Sequence, residues 1–253
     1  MRMRRLNLLV LLVMVFSAWS SGAGALPIVV KNIATGIDDS TGLKLSYLSP
    51  DTDYVIGIGS TEGVGLVPHA FENDAGWFAD SISSASRWIA IDVPHPESPY
   101  NGSGNLTLTG TYSFITTFDL TGFDSNSSQI ENVRFGADNH LIGVLINGTS
   151  VFSEPPADDP QGQDFHQFHT LGSVGAGLMQ PGLNVIEFRV YNAMFNLQVQ
   201  PNAMGFRVEG LVTAEPIPEP SAALLLGLGL SALAVRREKR RSVSIRSRSQ
   251  SLR

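Results

Sequence analysis

The chain has 253 residues, 43% of them hydrophobic and 16% charged, with a formal net charge of −6 and no cysteine. Between Leu26 and Thr213 the only Lys and Arg residues are Lys31, Lys44, Arg87, Arg134, Arg189 and Arg207, so this part is more acidic than the whole and repels nucleic-acid phosphates. The missing cysteine excludes disulfides, thiol nucleophiles, thiolate metal sites and iron–sulfur clusters, and a domain of this length buries a sufficient core without them.

The N-terminus opens with Met1-Arg2-Met3-Arg4-Arg5, continues with an apolar run from Leu6 to Phe16, and ends in small residues through Ala23-Gly24-Ala25. A positive start, an apolar middle and an A-x-A site predict a secretory signal peptide over 1–25, cleaved after Ala25 with Ala23 and Ala25 at the peptidase site. Residues 26–213 then have the length of one domain.

Within that stretch, short alternating runs bounded by Gly, Pro, Asn and Asp predict strands. Leu43, Leu45 and Tyr47 share one face of the first. Tyr112, Phe114, Thr116, Phe118 and Leu120 form the clearest, and Val133, Phe135 and Ala137 alternate with Arg134 and Gly136. Ile186, Phe188 and Val190 form another, and Phe206, Val208 and Val212 close the set. Asn147-Gly148 after the apolar run Leu141 to Ile146 predicts a tight hairpin, because Asn-Gly supplies the positive φ angles it needs. The fold class that follows is all-β, an antiparallel β-sandwich. Residues 59–86 and 153–164 carry no strand pattern and read as long loops.

Several clusters are candidates for chemistry. His166 and His169, beside Asp164, are metal-ligand types, but three positions apart on a strand they point to opposite faces. Asp38-Asp39, Asp51 with Asp53, and Asp158-Asp159 are carboxylate groups of the kind calcium uses, though none has a D-x-D-x-D-G spacing. Trp77, in Gly76-Trp77-Phe78 within a long loop, is the candidate for stacking on a sugar ring, against plain packing. Trp88, in the apolar segment Arg87 to Val93, reads as core. No Gly-x-Ser-x-Gly, His-Glu-x-x-His or phosphate-cradling glycine loop is present, so no enzyme is expected.

The C-terminal part is the most specific. Pro218, Glu219 and Pro220 form a triplet, followed by an apolar run from Ala222 to Val235 and a basic cluster of Arg236, Arg237, Lys239, Arg240 and Arg241. A helix of that run reaches about 21 Å, short of the roughly 30 Å of a bilayer core. This resembles the PEP-CTERM sorting signal of exported bacterial proteins over 214–241, with the apolar helix at 222–235. The resemblance implies an exosortase-type enzyme as partner and transient anchoring in the inner membrane through the helix. It also implies delivery to the cell envelope, the surface or the extracellular space. Such proteins are associated with exopolysaccharide and biofilm. Ser242 to Arg253 extends beyond the usual end of such tails and is too polar to fold, so 242–253 reads as a disordered Ser/Arg tail.

A second resemblance rests on Tyr112 to Gly122 (YSFITTFDLTG), Ala137-Asp138-Asn139, Ile146-Asn147-Gly148 and Gly182-Leu183-Asn184-Val185-Ile186-Glu187-Phe188. In this order they are similar to galactose-binding-like jelly rolls. The resemblance implies a jelly-roll sandwich that binds carbohydrate, with Asp138 and Asn139 at a strand end as ligand contacts or as an Asx-type turn. No motif requires a cofactor; a structural calcium is the one ion the implied fold leaves room for. The expected function is an exported, non-catalytic, carbohydrate-binding surface or matrix protein. Two alternatives stay open: a structural surface protein with no ligand, and a secreted carbohydrate hydrolase needing two convergent carboxylates.

Overall fold

The computed structural model describes residues 25–71, 77–83, 85–91, 106–156, 164–193, 202–217 and 229–230. The expected signal peptide lies outside this set except for Ala25, as do Pro218, Glu219, Pro220, Arg236, Arg237, Arg240, Arg241 and the Ser/Arg tail. Of the expected apolar helix, Gly229 and Leu230 alone are described, and both are helical. Among the described residues no helix is long and apolar enough to cross a membrane.

The strands follow in chain order. The first half holds β1 (Ile28–Asn32), β2 (Ile37–Asp38), β3 (Leu43–Lys44), β4 (Val55–Ile56), β5 (His69–Phe71), β6 (Trp88–Ala90) and β7 (Leu106–Thr107). Longer strands come next: β8 (Gly110–Asp119), β9 (Phe123–Asp138), β10 (His140–Ile146) and β11 (Thr149–Ser153). The set ends with β12 (His169–Val174), β13 (Leu183–Asn192), β14 (Asn202–Ala203) and β15 (Gly205–Pro216).

One sheet has the order β12-β9-β15-β6-β5, with β1 pairing the far end of β15. The other has the order β11-β10-β13-β8-β4, and small ribbons join β14 to β7 and β2 to β3. Every strand pair is antiparallel. The protein is therefore an all-β antiparallel sandwich, consistent with a jelly roll. Asn147 and Gly148 turn β10 into β11 with φ of 50° and 80°. Asn147 also clamps the neighbouring loop, its amide donating to Leu178 O and Asn184 Oδ1 while its Oδ1 accepts from Val185 N.

The two inner faces meet in the main core. Tyr112, Phe114, Ile186 and Phe188 from one sheet pack on Phe135, Phe206, Val208 and Val212 from the other, and Phe206 lies 5.0 Å from Phe114 and 5.1 Å from Phe188, ring to ring. Burial of these apolar rings is the main force holding the layers together.

The six-stranded sheet is buried on its outer face too. Phe71, Trp77, Phe78, Trp88 and Ala90 form a second core there, with Phe165 and Phe168 packed against it. Two glycines make this close approach feasible. A Cβ on Gly136 would stand 2.4 Å from the Phe78 ring, and one on Gly205 would stand 2.3 Å from the Trp77 ring.

Three sequence expectations are corrected. The alternating run Leu43 to Tyr47 is strand only at Leu43–Lys44, because Leu45 N turns to Gly36 O instead of a sheet neighbour; Leu43 and Tyr47 are exposed. Residues 59–86 are not loop throughout: they hold β5, which at three residues is too short to show an alternation. His166 does not lie on a strand, since β12 begins at His169, and Asp164 and Phe165 form a turn followed by a bend at His166 and Gln167. At the other end, β15 continues past Thr213 to pair Pro216 with Phe123, and the first of two compact units ends at Pro216.

Candidate functional site

Trp77 is a core residue. It is 5% exposed, its ring lies 4.5 Å from that of Trp88, and its Nε1 donates to Asp138 Oδ2 at 2.8 Å. The expected exposed sugar platform is thereby corrected: the indole fills the notch that Gly205 leaves on β15, and no ring face is open to stack on. Trp88 is fully buried beside it.

Asp138 and Asn139 form the junction where β9 of one sheet passes into β10 of the other. Both are buried, and the peptide between them is cis. Asn139 Oδ1 accepts from Ala193 N at 2.6 Å, its N–H donates to Tyr191 O, and its carbonyl accepts from Asp164 N. These groups are spent inside the fold, tying the junction to Trp77 and β13.

The carboxylate clusters are drawn together around a lysine. Lys31 Nζ donates to Asp39 and, at 2.8 Å, to Asp53, so an ammonium sits where two acidic turns converge. Asp38 accepts from Ser40 in its own turn. Asp51 is buried and accepts from Gly36 N at 2.7 Å and Asp53 N at 3.2 Å; burial pushes its carboxyl up to about 6. Asp158 and Asp159 lie outside the described residues.

Asp164 stands between two histidines, 3.4 Å from His169 Nε2 and 4.0 Å from His140 Nδ1. Burial pushes its carboxyl up against the N–H of Leu141, which it accepts at 2.9 Å. Among the described residues no group of three or more His, Asp or Glu is arranged to hold a metal ion.

The polar site that alternation did not reveal sits on the outer face of the six-stranded sheet. Arg207 is fully buried. Its Nε donates to Ser86 Oγ at 2.7 Å, and its Nη2 donates to the carbonyls of Ser86 and Ser83 at 2.8 and 3.2 Å. Nη1 lies 3.4 Å from Asp80 Oδ1. Its guanidinium carbon stands 5.1 Å from the Phe78 ring centre and 5.2 Å from that of Phe168, a cation–π setting. Ser86 Oγ donates onward to Glu209 Oε1 at 2.6 Å, and Glu209 Oε2 accepts from Arg134 Nε at 2.7 Å. Burial pushes the Glu209 carboxyl up, but donors from Ser83, Ser86 and Arg134 outweigh that and hold it below its ordinary range.

Asp80 completes the network. Its Oδ2 accepts from Arg87 Nε at 2.7 Å, and its backbone carbonyl accepts from Lys44 Nζ at 2.8 Å. Above this floor lies an open cleft of about 570 Å³, lined by Gly42, Leu43, Lys44, Asp80, Ser81 and Ser83. The one sequence signal for this site was the scarcity of cations, which makes each of them informative.

Comparison with known proteins adds the tail. The PEP-CTERM protein-sorting motif matches residues 216–241, and it marks an exported protein processed by an exosortase. No curated protein and no solved structure matches the chain.

Proposed function

We propose that this protein is displayed at the cell surface or in the extracellular matrix, where its β-sandwich binds polysaccharide without transforming it. The observation that carries the reading is the sorting motif at 216–241, joined to a preceding sandwich that forms its own compact unit. Before processing, the 222–235 segment holds the chain in the inner membrane, with the arginine cluster on the inner side. The galactose-binding-like likeness of the Tyr112 to Phe188 motifs supports carbohydrate as the ligand class. The open cleft, lined by Ser81, Ser83 and Asp80, offers sugar hydroxyls the exposed side chain of Ser81.

Binding is favoured over hydrolysis by the state of the nearest carboxylates. Asp80 is paired with Arg87 and Arg207, and Glu209 with Arg134. Glu209, held below its ordinary range by its donors, is a poor proton donor to a glycosidic oxygen, and both oxygens of Asp80 are already engaged by arginine.

The test is retention of the exported protein on a panel of immobilised polysaccharides. Saturable binding to one glycan class, with no release of reducing sugar, is the expected result. Retention on none would favour a purely structural surface protein, and release of sugar would favour a hydrolase.

A further inference from the structure

Six Lys and Arg residues serve the whole stretch from Leu26 to Thr213. Lys31 is spent on Asp39 and Asp53, and Arg189 on Glu187. The other four, Lys44, Arg87, Arg134 and Arg207, converge on the outer face of the six-stranded sheet, where Asp80 and Glu209 are the carboxylates paired with them among the described residues. Among the described residues, an otherwise acidic domain thus carries a patch in which cations outnumber carboxylates, and a cleft opens over it. A local excess of one charge in a partly enclosed site focuses the field on ligands of the opposite sign.

Lys44 is the cation that faces the cleft. Its ammonium has three donors; one reaches Asp80 O at 2.8 Å, and the Asp80 carboxylate is 3.8 Å away. Its side chain keeps 22% of its surface exposed. Burial, with Arg207 and Arg87 nearby, holds the ammonium below the usual lysine range despite the pull of Asp80, so an added anion would relieve it. Ser81 is exposed at the rim, and Leu43, 68% exposed, adds an apolar edge.

We propose that this cleft binds the carboxylate of an acidic sugar, a uronate unit of an anionic polysaccharide. Lys44 is the counter-charge, and Ser81 and Leu43 meet the hydroxyl and C–H faces of the ring. Arg87 and Arg207 hold Asp80 in place and supply the remaining positive field from beneath. The inference rests on the carbohydrate-binding reading above and names the sugar class.

Titration of the full exported chain with oligogalacturonate, and with the same oligosaccharide after its carboxyls are reduced to hydroxymethyl groups, tests it. The acidic form is expected to bind at least about tenfold more tightly, the weight of one charged hydrogen bond. Lys44→Gln and, independently, Ser81→Asp should each remove that preference, with the acidic form losing more affinity than the reduced form. Ser81 is exposed, so its variant should keep the parent's melting temperature, and it decides the matter if Lys44→Gln fails to fold. Equal affinity for the two forms would overturn the acidic-sugar inference and leave carbohydrate binding standing. Binding of neither would sink both. Parental affinity in Ser81→Asp would move the site out of the cleft. Free galacturonate binding as tightly as the oligomer would replace the polymer with a small sugar acid.

Discussion

A side chain on Gly205 would begin inside the indole of Trp77, with its Cβ 2.3 Å from the ring. The glycine is therefore the floor of a socket, and the ring that fills it is locked by the 2.8 Å hydrogen bond to Asp138. Gly205→Ala should destabilise the fold by about 1–3 kcal/mol through overpacking. Trp77→Ala should cost about 3–5 kcal/mol, the range for a truncated buried aromatic. Gly143→Ala is the control, since its added Cβ would meet its nearest neighbour at an ordinary 3.6 Å. Urea melts compare the three; a parental midpoint for Trp77→Ala would return that ring to the surface.

Arg207 predicts a different failure. Its planar fork reaches Ser86 Oγ, two backbone carbonyls and Asp80 at once, a pattern a lysine ammonium does not reproduce. Arg207→Ala strands buried acceptors and should cost about 3–5 kcal/mol. Arg207→Lys should recover only a minor part of that. Full rescue by lysine, read by thermal unfolding, would show that charge alone matters there.

Asp51 and Glu209 give stability opposite slopes with pH. The Asp51 carboxyl is raised from 3.8 to about 6, so the folded protein binds its proton more tightly than the unfolded chain. The stability from this group is full below about pH 4 and declines as pH rises to about 6, by at most about 3 kcal/mol. Glu209 is held below its ordinary 4.5, so its contribution is present above that value and lost on acidification. Asp51→Asn should remove the decline between about pH 4 and 6 in chemical denaturation, and an unchanged slope would assign the decline to other groups.

The sorting tail is tested by Glu219→Ala. The variant should accumulate unprocessed in the inner membrane, because the cluster from Arg236 to Arg241 still halts translocation. Cell fractionation reads the outcome. Surface yield equal to the parent's would make the tail an ordinary anchor.

The sequence by itself determined what depends on local spacing. Alternation at Tyr112 to Leu120 and Ile186 to Val190 predicts β8 and β13, because a strand repeats every two residues whatever packs on it. Asn147-Gly148 predicts its hairpin because the positive φ angles are a property of those two residues. The sorting tail is legible because a single stretch of chain carries its whole pattern.

What only the tertiary structure decided is which of two alternating faces meets water. Arg134 and Gly136 alternate with the apolar residues of β9, and Arg207 and Glu209 alternate with Phe206 and Val208 on β15. The structure covers their face with Trp77, Phe78, Phe165 and Phe168, leaving Arg207 fully buried and Glu209 nearly so. Alternation separates the two faces of a strand but carries no information about a loop that folds back over one of them. That cover takes Trp77 from surface to core, and it gathers Lys44, Asp80, Arg87, Arg134, Arg207 and Glu209 from five separate stretches of chain. Such a convergence has no signature along the sequence, because it is set by long-range packing and by the need to satisfy each buried charge.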